Sequence, residues 1–303
     1  MRIGTVTWAA ASSASEGRMQ YGFIFPGGDP RTLAELSYEA EAAGWDGVFI
    51  PDSIAIDTPE FPTMPTFDPW VTLAAMAMRT ERVRLGTIIT PLSRRRPWKL
   101  ARETATLDHL SNGRLIVAVG LGALDDKGFA NVGEATDMKA RAEMLDEGLA
   151  ILAGLWSGQP FSFHGARYQV DELTFLPPPV QRPRIPVWVV GAWPRAKSMR
   201  RALRWDGILP QKSDGMGAAM TSADIAAMKA FIDVERGQAT PFAILTEGET
   251  PGDDRERAAA IVRPFADAGA TWWMETRWLG NNSPDELRTR LQQGPPRIAE
   301  RGD

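Results

Sequence analysis

The sequence predicts a (β/α)8 barrel with an insertion after its fourth strand–helix unit. Three observations predict it. Short apolar segments alternate with amphipathic ones eight times along the chain. The apolar segments are continuous rather than alternating, as strands buried on both faces must be. Strict strand–helix alternation gives a parallel sheet, and eight units close one into a barrel. A doubly wound open sheet is the alternative reading of the same alternation.

The elements follow in order. "QYGFIF" (residues 20–25) is the first strand, and Asp29-Pro30 opens the first helix as an N-cap and a first-turn proline. Leu33, Leu36, Ala40 and Ala43 recur at helical spacing until Gly44. "DGVFI" (46–50) is the second strand, and Asp68-Pro69 starts a helix that reaches Arg79. "RVRLGTII" (82–89) is the third strand. A helix runs from Pro97 to the turn at Asn112-Gly113, and "RLIVAVG" (114–120) is the fourth strand. Ala142, Leu145, Leu149, Leu152 and Trp156 mark a long helix, and the Pro-, Gly- and aromatic-rich residues 157–184 form the insertion. Phe161, Phe163, His164 and Tyr168 give it the character of a flap beside the mouth or at a subunit interface. "IPVWVV", "DGILP", "PFAILT" and "TWWMET" are strands five to eight. The helices between them lie near residues 194–204, 222–234 and 253–268, and Ser283-Pro284-Asp285-Glu286 opens the last helix as a capping box. "GWDGVFI" and "RWDGILP" echo each other on strands two and six, which stand opposite in a barrel.

Composition narrows the chemistry. The chain of 303 residues carries a net charge of −4 and has no long basic block, so nucleic acid is not an expected partner. No apolar run reaches the ~20 residues of a membrane helix. There is no cysteine and there are only two histidines, His109 and His164, so thiolate chemistry and His-rich metal sites are excluded and no metal is expected. Residues 1–18 are unlike the rest and read as an N-terminal extension, disordered or a non-native start. A single domain of residues 19–303 follows, in a cytoplasmic protein. The eleven tryptophans either fill the core or line a pocket for a flat aromatic ligand.

In a barrel, chemistry sits at the C-terminal ends of the strands. Those ends carry Pro26-Gly27-Gly28, Asp52-Ser53, Thr87-Ile88, Gly120-Leu121-Gly122, Gly191-Ala192-Trp193, Glu247 and Glu275 to Arg277. Glycines after a buried strand let backbone approach a ligand. Gly191, Ala192 and Arg195 precede a basic helix suited to a phosphate. The basic loop Arg94 to Arg96 either holds an anion or is solvated. Asn112, Gly113 and Arg114 fall at the opposite end and read as stability determinants.

These signals, in this order, resemble the bacterial luciferase-like family of flavin- or coenzyme F420-dependent oxidoreductases. "EAEAAGWDGVFIPDS", "RRRPWKLARETATLDHLSNGRLIVAVGLG", "RAEMLDEGLAILAGLWSGQPFSFHGARY", "PPPVQRPRIPVWVVGAWP" and "AGATWW" carry the resemblance, from about Met19 onward. It implies a barrel holding FMN or F420 in its mouth, with Asp52, Thr87, Ile88, Gly120 and Gly122 beside the ring. It implies Gly191, Ala192 and Arg195 at the cofactor phosphate, and a non-proline cis peptide at or within one residue of Thr87-Ile88. Relatives commonly place a histidine at position 53 and a glutamate at 123, where this chain has Ser53 and Ala123. Both proton-transfer groups of the F420-dependent sugar-phosphate dehydrogenases are thus replaced. The implied activity is oxidation, reduction or monooxygenation of a small hydrophobic organic substrate, with oxygen as a possible co-substrate and a homodimer as a possible assembly. Asp52 and Glu275 are the candidate catalytic carboxylates. The rival readings are a barrel glycoside hydrolase using two of Asp52, Glu247 and Glu275, and a non-catalytic flavin-binding protein.

Overall fold

The structure, a computed structural model, describes residues 18–58, 65–213, 218–236, 240–278 and 282–298. The N-terminal extension lies outside the described residues except for Arg18. Strand β1 (Gln20–Ile24) leads to helix α1 (Pro30–Ala42), and β2 (Gly47–Ile50) to α2 (Pro69–Arg79). Asp29 and Asp68 each accept two first-turn amides at the starts of these helices. β3 (Arg84–Thr87) ends before the cis Ile88–Ile89 peptide, and the chain resumes as the short β4 (Thr90–Pro91). The expected third strand is therefore two pieces. Helix α3 (Pro97–Leu110), β5 (Leu115–Gly120) and α4 (Met138–Trp156) follow.

The insertion forms an antiparallel hairpin of β6 (Pro160–His164) and β7 (Gln169–Thr174). It lies along the barrel flank. The amides of Ala166, Arg167 and Tyr168 donate to Glu147 of α4 at 2.8–2.9 Å. Phe161 fills the notch over Gly154, and Tyr168 meets Trp98 of α3 edge to face. His164 bonds to Gln169 within the hairpin. The chain then completes the expected alternation with β8 (Val187–Trp193), α5 (Ala196–Ala202), β9 (Gly207–Lys212), α6 (Ser222–Arg236), β10 (Ala243–Gly248), α7 (Arg255–Asp267), β11 (Trp272–Glu275) and α8 (Pro284–Gln292).

The parallel strands run β3-β2-β1-β11-β10-β9-β8-β5, and β3 pairs with β5 to close the ring. The fold is a (β/α)8 barrel and not an open sheet. Its lower interior is filled by Phe49, Trp188 and Trp272, with ring centroids 5.2–6.0 Å apart. Inward glycines make room for them. A Cβ at Gly22 would lie 2.8 Å from Met274, and one at Gly47 2.8 Å from Phe49. Three such side chains buried in one layer contribute roughly 1.5–3 kcal/mol each. These aromatics therefore serve the core, and the barrel is packed below its mouth.

The echoed "WDG" segments occupy equivalent places. Asp46 accepts the Tyr21 amide at 2.9 Å and pairs with Arg18. Asp206 accepts the Val187 amide at 2.7 Å and pairs with Arg184. Each aspartate thus clamps the base of the preceding barrel strand, and each following glycine faces the barrel interior, where aromatic rings crowd it.

Candidate active site at the barrel mouth

Alternation along each strand decides which side chains reach the mouth. On β10, Ala243 and Leu245 belong to the interior cluster, so Glu247 also faces in. On β11, Trp272 and Met274 face in, whereas Trp273 and Glu275 face the helices. Above the aromatic layer a cavity of about 210 Å³ opens, lined by Pro26, Gly27, Ile50, Ser53, Phe67 and Trp278 among others. It is a little below the ~300 Å³ typical of drug-sized ligands, a size suited to a small molecule or the reactive end of a larger one. Ala123 and Asp125 complete one side. At Gly27 the place of a Cβ is open space, so backbone there can approach a ligand.

Asp52 is buried and held. Arg95 donates to its Oδ1 at 2.7 Å and Oδ2 at 3.2 Å, and Arg94 donates to its carbonyl at 3.0 Å. Arg94 also pairs with Asp126, whose carboxylate accepts the amides of Ile54, Ala55 and Gly128 at 2.9–3.0 Å. Burial alone would raise the Asp126 carboxyl, but these amides and the guanidinium together hold it below its ordinary value. Arg94 and Arg95 are therefore neither an anion clamp nor a solvated loop. They tie the loops after β2, β4 and β5 into one rim. Composition concealed this, since only the fold brings Asp126 to the arginines.

Glu275 is placed away from the mouth, because strand alternation turns it outward. Its oxygens accept from the Thr250 amide at 2.9 Å, the Thr250 hydroxyl at 2.8 Å and the Trp273 indole at 3.0 Å, and it pairs with Arg290 at 3.2 Å. It borders a hollow of about 580 Å³ outside the barrel, between α7, α8 and the loop after β10, which Arg277 also lines. Of the three carboxylates a glycoside hydrolase would draw on, only Glu247 is presented to the mouth.

The Trp278 indole lies beside Glu247. Burial pushes the Glu247 carboxyl up, and the indole only partly offsets the push. Glu247 is exposed to solvent, and the protein packed around it supplies the desolvation. Trp278 was not singled out from the sequence, for it follows the last strand with no motif around it.

The remaining expected residues sort by direction. Ile88 packs on the interior cluster at the rim. Thr87 points outward, its hydroxyl on Thr90 at 2.9 Å and on the Ala118 carbonyl at 3.3 Å, so its side chain does not line the mouth. The non-proline cis peptide falls at Ile88–Ile89, one residue past Thr87-Ile88. The Cβ places at Gly120 and Gly122 are closed by Ile89 with Val190 and by Phe129 with Pro91. Gly191 is similarly closed by Ile208. Packing therefore already requires these three glycines. The Ala192 amide is taken by Ser198 at 2.9 Å, while the exposed Arg195 reaches only the Ser213 carbonyl, at 3.2 Å. Trp193 packs on Phe231. At the far end His109 bonds to the Pro178 carbonyl, and Arg114 donates to the carbonyls of Ala77, Thr80 and Val83. These bonds fasten the barrel base.

Comparison with known proteins places this arrangement. Over 88% of its length the chain is 28% identical to an F420-dependent glucose-6-phosphate dehydrogenase of Nakamurella multipartita, covering 84% of that protein. It is 30% identical to the enzyme of the same name from Tsukamurella paurometabola, over 87% of this chain and 84% of that one. Among solved structures it resembles an F420-dependent secondary alcohol dehydrogenase in complex with an F420-acetone adduct, with a TM-score of 0.73, 20% identity and coverage of 91% and 96% of the two chains. The luciferase-like monooxygenase family model matches residues 1–297, and the chain belongs to that family.

Proposed function

We propose that the protein is an oxidoreductase that transfers hydride between a flavin-type cofactor, F420 ahead of FMN, and a small hydrophobic organic substrate in the barrel mouth. The observation that carries this reading is the cavity itself, walled by Pro26, Ile50, Phe67 and Trp278 at the ends of the strands. Such walls exclude water and favour a flat ring and an apolar substrate. The F420 dependence of the named relatives supports F420 over FMN.

The donor set fits such a group. When bound, a flavin or deazaflavin ring supplies hydride transfer. Asp52 positions the rim through its arginines, and Ile88 with the backbone of Thr87, Gly120 and Gly122 would border the ring. Arg195 would be the cation for the phosphate, with Gly191 and Ala192 shaping its loop. Ser53 and Ala123 line the cavity where the sugar-phosphate dehydrogenases are expected to carry a histidine and a glutamate, which supports an apolar alcohol or ketone over a sugar phosphate.

The test is titration of the protein with F420 and FMN, followed by turnover of secondary alcohols, ketones, enones and glucose 6-phosphate with the cofactor that binds. Binding with turnover of the apolar compounds is expected. Efficient oxidation of glucose 6-phosphate would overturn the substrate assignment, and absence of binding by either cofactor would overturn the reading as a whole. Oxygen consumption with reduced FMN would instead assign monooxygenation.

A further inference from the structure

We propose that Glu247 is the proton-transfer group of this mouth, replacing the histidine and glutamate whose positions Ser53 and Ala123 occupy. The inference rests on the reading that hydride transfer takes place there. It starts from what each carboxylate near the strand ends is doing. Asp52 is held by Arg94 and Arg95, Asp126 by Arg94 and three amides, and Glu275 by Arg290 and Thr250. Each of these would have to break ion pairs to accept a proton from a substrate. Asp125 lines the cavity but sits on the loop after β5 rather than on a barrel strand. Glu247 differs from all four. It projects inward from a barrel strand, in register with Met274, with the Trp278 indole beside it.

The surroundings suit the task. On its own strand the inward neighbour is Leu245, on β11 it is Met274, and Trp278 covers the side. On β9 the adjacent inward positions are Leu209 and Gln211, while the nearby Lys212 is engaged with Asp224 at 3.1 Å. The cavity lining includes the carboxylate of Asp125, while Glu247 stands at its strand end beside Trp278, which lines the cavity. Among the described residues no cation is set against the ionised form, and burial raises the Glu247 carboxyl. A raised carboxyl lies nearer working pH, where a general base is most effective.

In the oxidation of an alcohol, a bound oxidised flavin or deazaflavin would take the carbinol hydrogen with its electron pair as that C–H bond breaks. The O–H bond breaks as the carbonyl forms, and that proton passes to the Glu247 carboxylate. Glu247, which is exposed to solvent, then releases it to water. Reduction runs the same transfers backwards, with neutral Glu247 as the acid.

The experiment pairs turnover with two readouts independent of it, using oxidised F420 and cyclohexanol. Carbon-13 NMR of glutamate-labelled protein should show one carboxyl titrating above the usual range and missing from Glu247→Gln. F420 affinity of Glu247→Gln should stay within about twofold. Its kcat should fall on the order of 10²–10⁴-fold, and the acid limb of the pH profile should vanish. Glu247→Asp, which keeps a carboxylate, should recover part of the rate and restore the limb with a shifted midpoint. Turnover of Glu247→Gln within threefold of the parent, an acid limb that survives in it, or a Glu247 signal titrating in the ordinary range would each overturn the proposal. Failure of the parent protein to bind F420 or FMN would overturn the hydride-transfer reading itself, a separate outcome read before any substrate is added.

Discussion

Replacing Arg94 with methionine tests the rim network most directly. The guanidinium is 3% exposed and joins Asp126 to the carbonyl and carboxylate of Asp52. Methionine keeps much of the apolar stem and removes the charge. Asp52 retains Arg95 at 2.7 Å, so the loss falls mainly on Asp126. Removing one partner of a buried pair typically costs about 3–5 kcal/mol. The three amides that remain on Asp126 place this case near the lower end, at about 3–4 kcal/mol. At ~2 °C per kcal/mol for a chain of this size, Tm should drop by ~6–8 °C. The pH dependence has a definite sign. The Asp126 carboxyl is depressed in the folded state, so its contribution is present above the unfolded value near ~3.9 and is lost as pH falls through the folded one. In Arg94→Met the depression shrinks. The gap between parent and variant is therefore full at pH 7 and narrows toward pH 3.5. Urea unfolding followed by circular dichroism at both pH values measures it. A loss below ~1 kcal/mol at pH 7, or a gap equally wide at pH 3.5, would refute the reasoning.

Three further outcomes are expected. Glu275→Gln should lose about 3–5 kcal/mol of stability through the buried Arg290 pair, with F420 affinity of the folded protein unchanged; a thermal melt equal to the parent's would contradict the outward placement. Gly207→Ala should cost about 1–3 kcal/mol, because its methyl would press on Trp188 and lie 2.8 Å from Ala243 in the packed barrel interior; chemical denaturation reads this directly. Arg195→Ala should weaken cofactor binding by more than ~1 kcal/mol, the scale of a charge-assisted hydrogen bond. A fluorescence titration at fixed salt that returns the parent's affinity would remove Arg195 from the phosphate site.

Local rules made the barrel legible. Asp29-Pro30 and Asp68-Pro69 announce helix starts because a carboxylate and a fixed φ act within one turn. Continuous apolar runs announce parallel strands because both faces are covered. The same sequence, with the family motifs, located the barrel strands and placed the cis peptide to within one residue. What it could not decide was direction and partnership. Trp272 and Trp273 read alike in sequence, yet one fills the barrel and the other bonds to Glu275 outside it. Glu247 and Glu275 both end a strand, and only side-chain phase set by the closed ring turns the first to the mouth and the second to Arg290. Gly120, Gly122 and Gly191 read in sequence as ligand-contact glycines, and only the fold shows that Ile89, Phe129 and Ile208 also occupy their missing side chains' space. Arg94 and Asp126 are 32 residues apart, and no local signal links them. Hydrophobic phase and capping depend on neighbours within a few residues and so are written in the chain itself, whereas charge pairing and the facing of the mouth depend on contacts that exist only once the ring has closed.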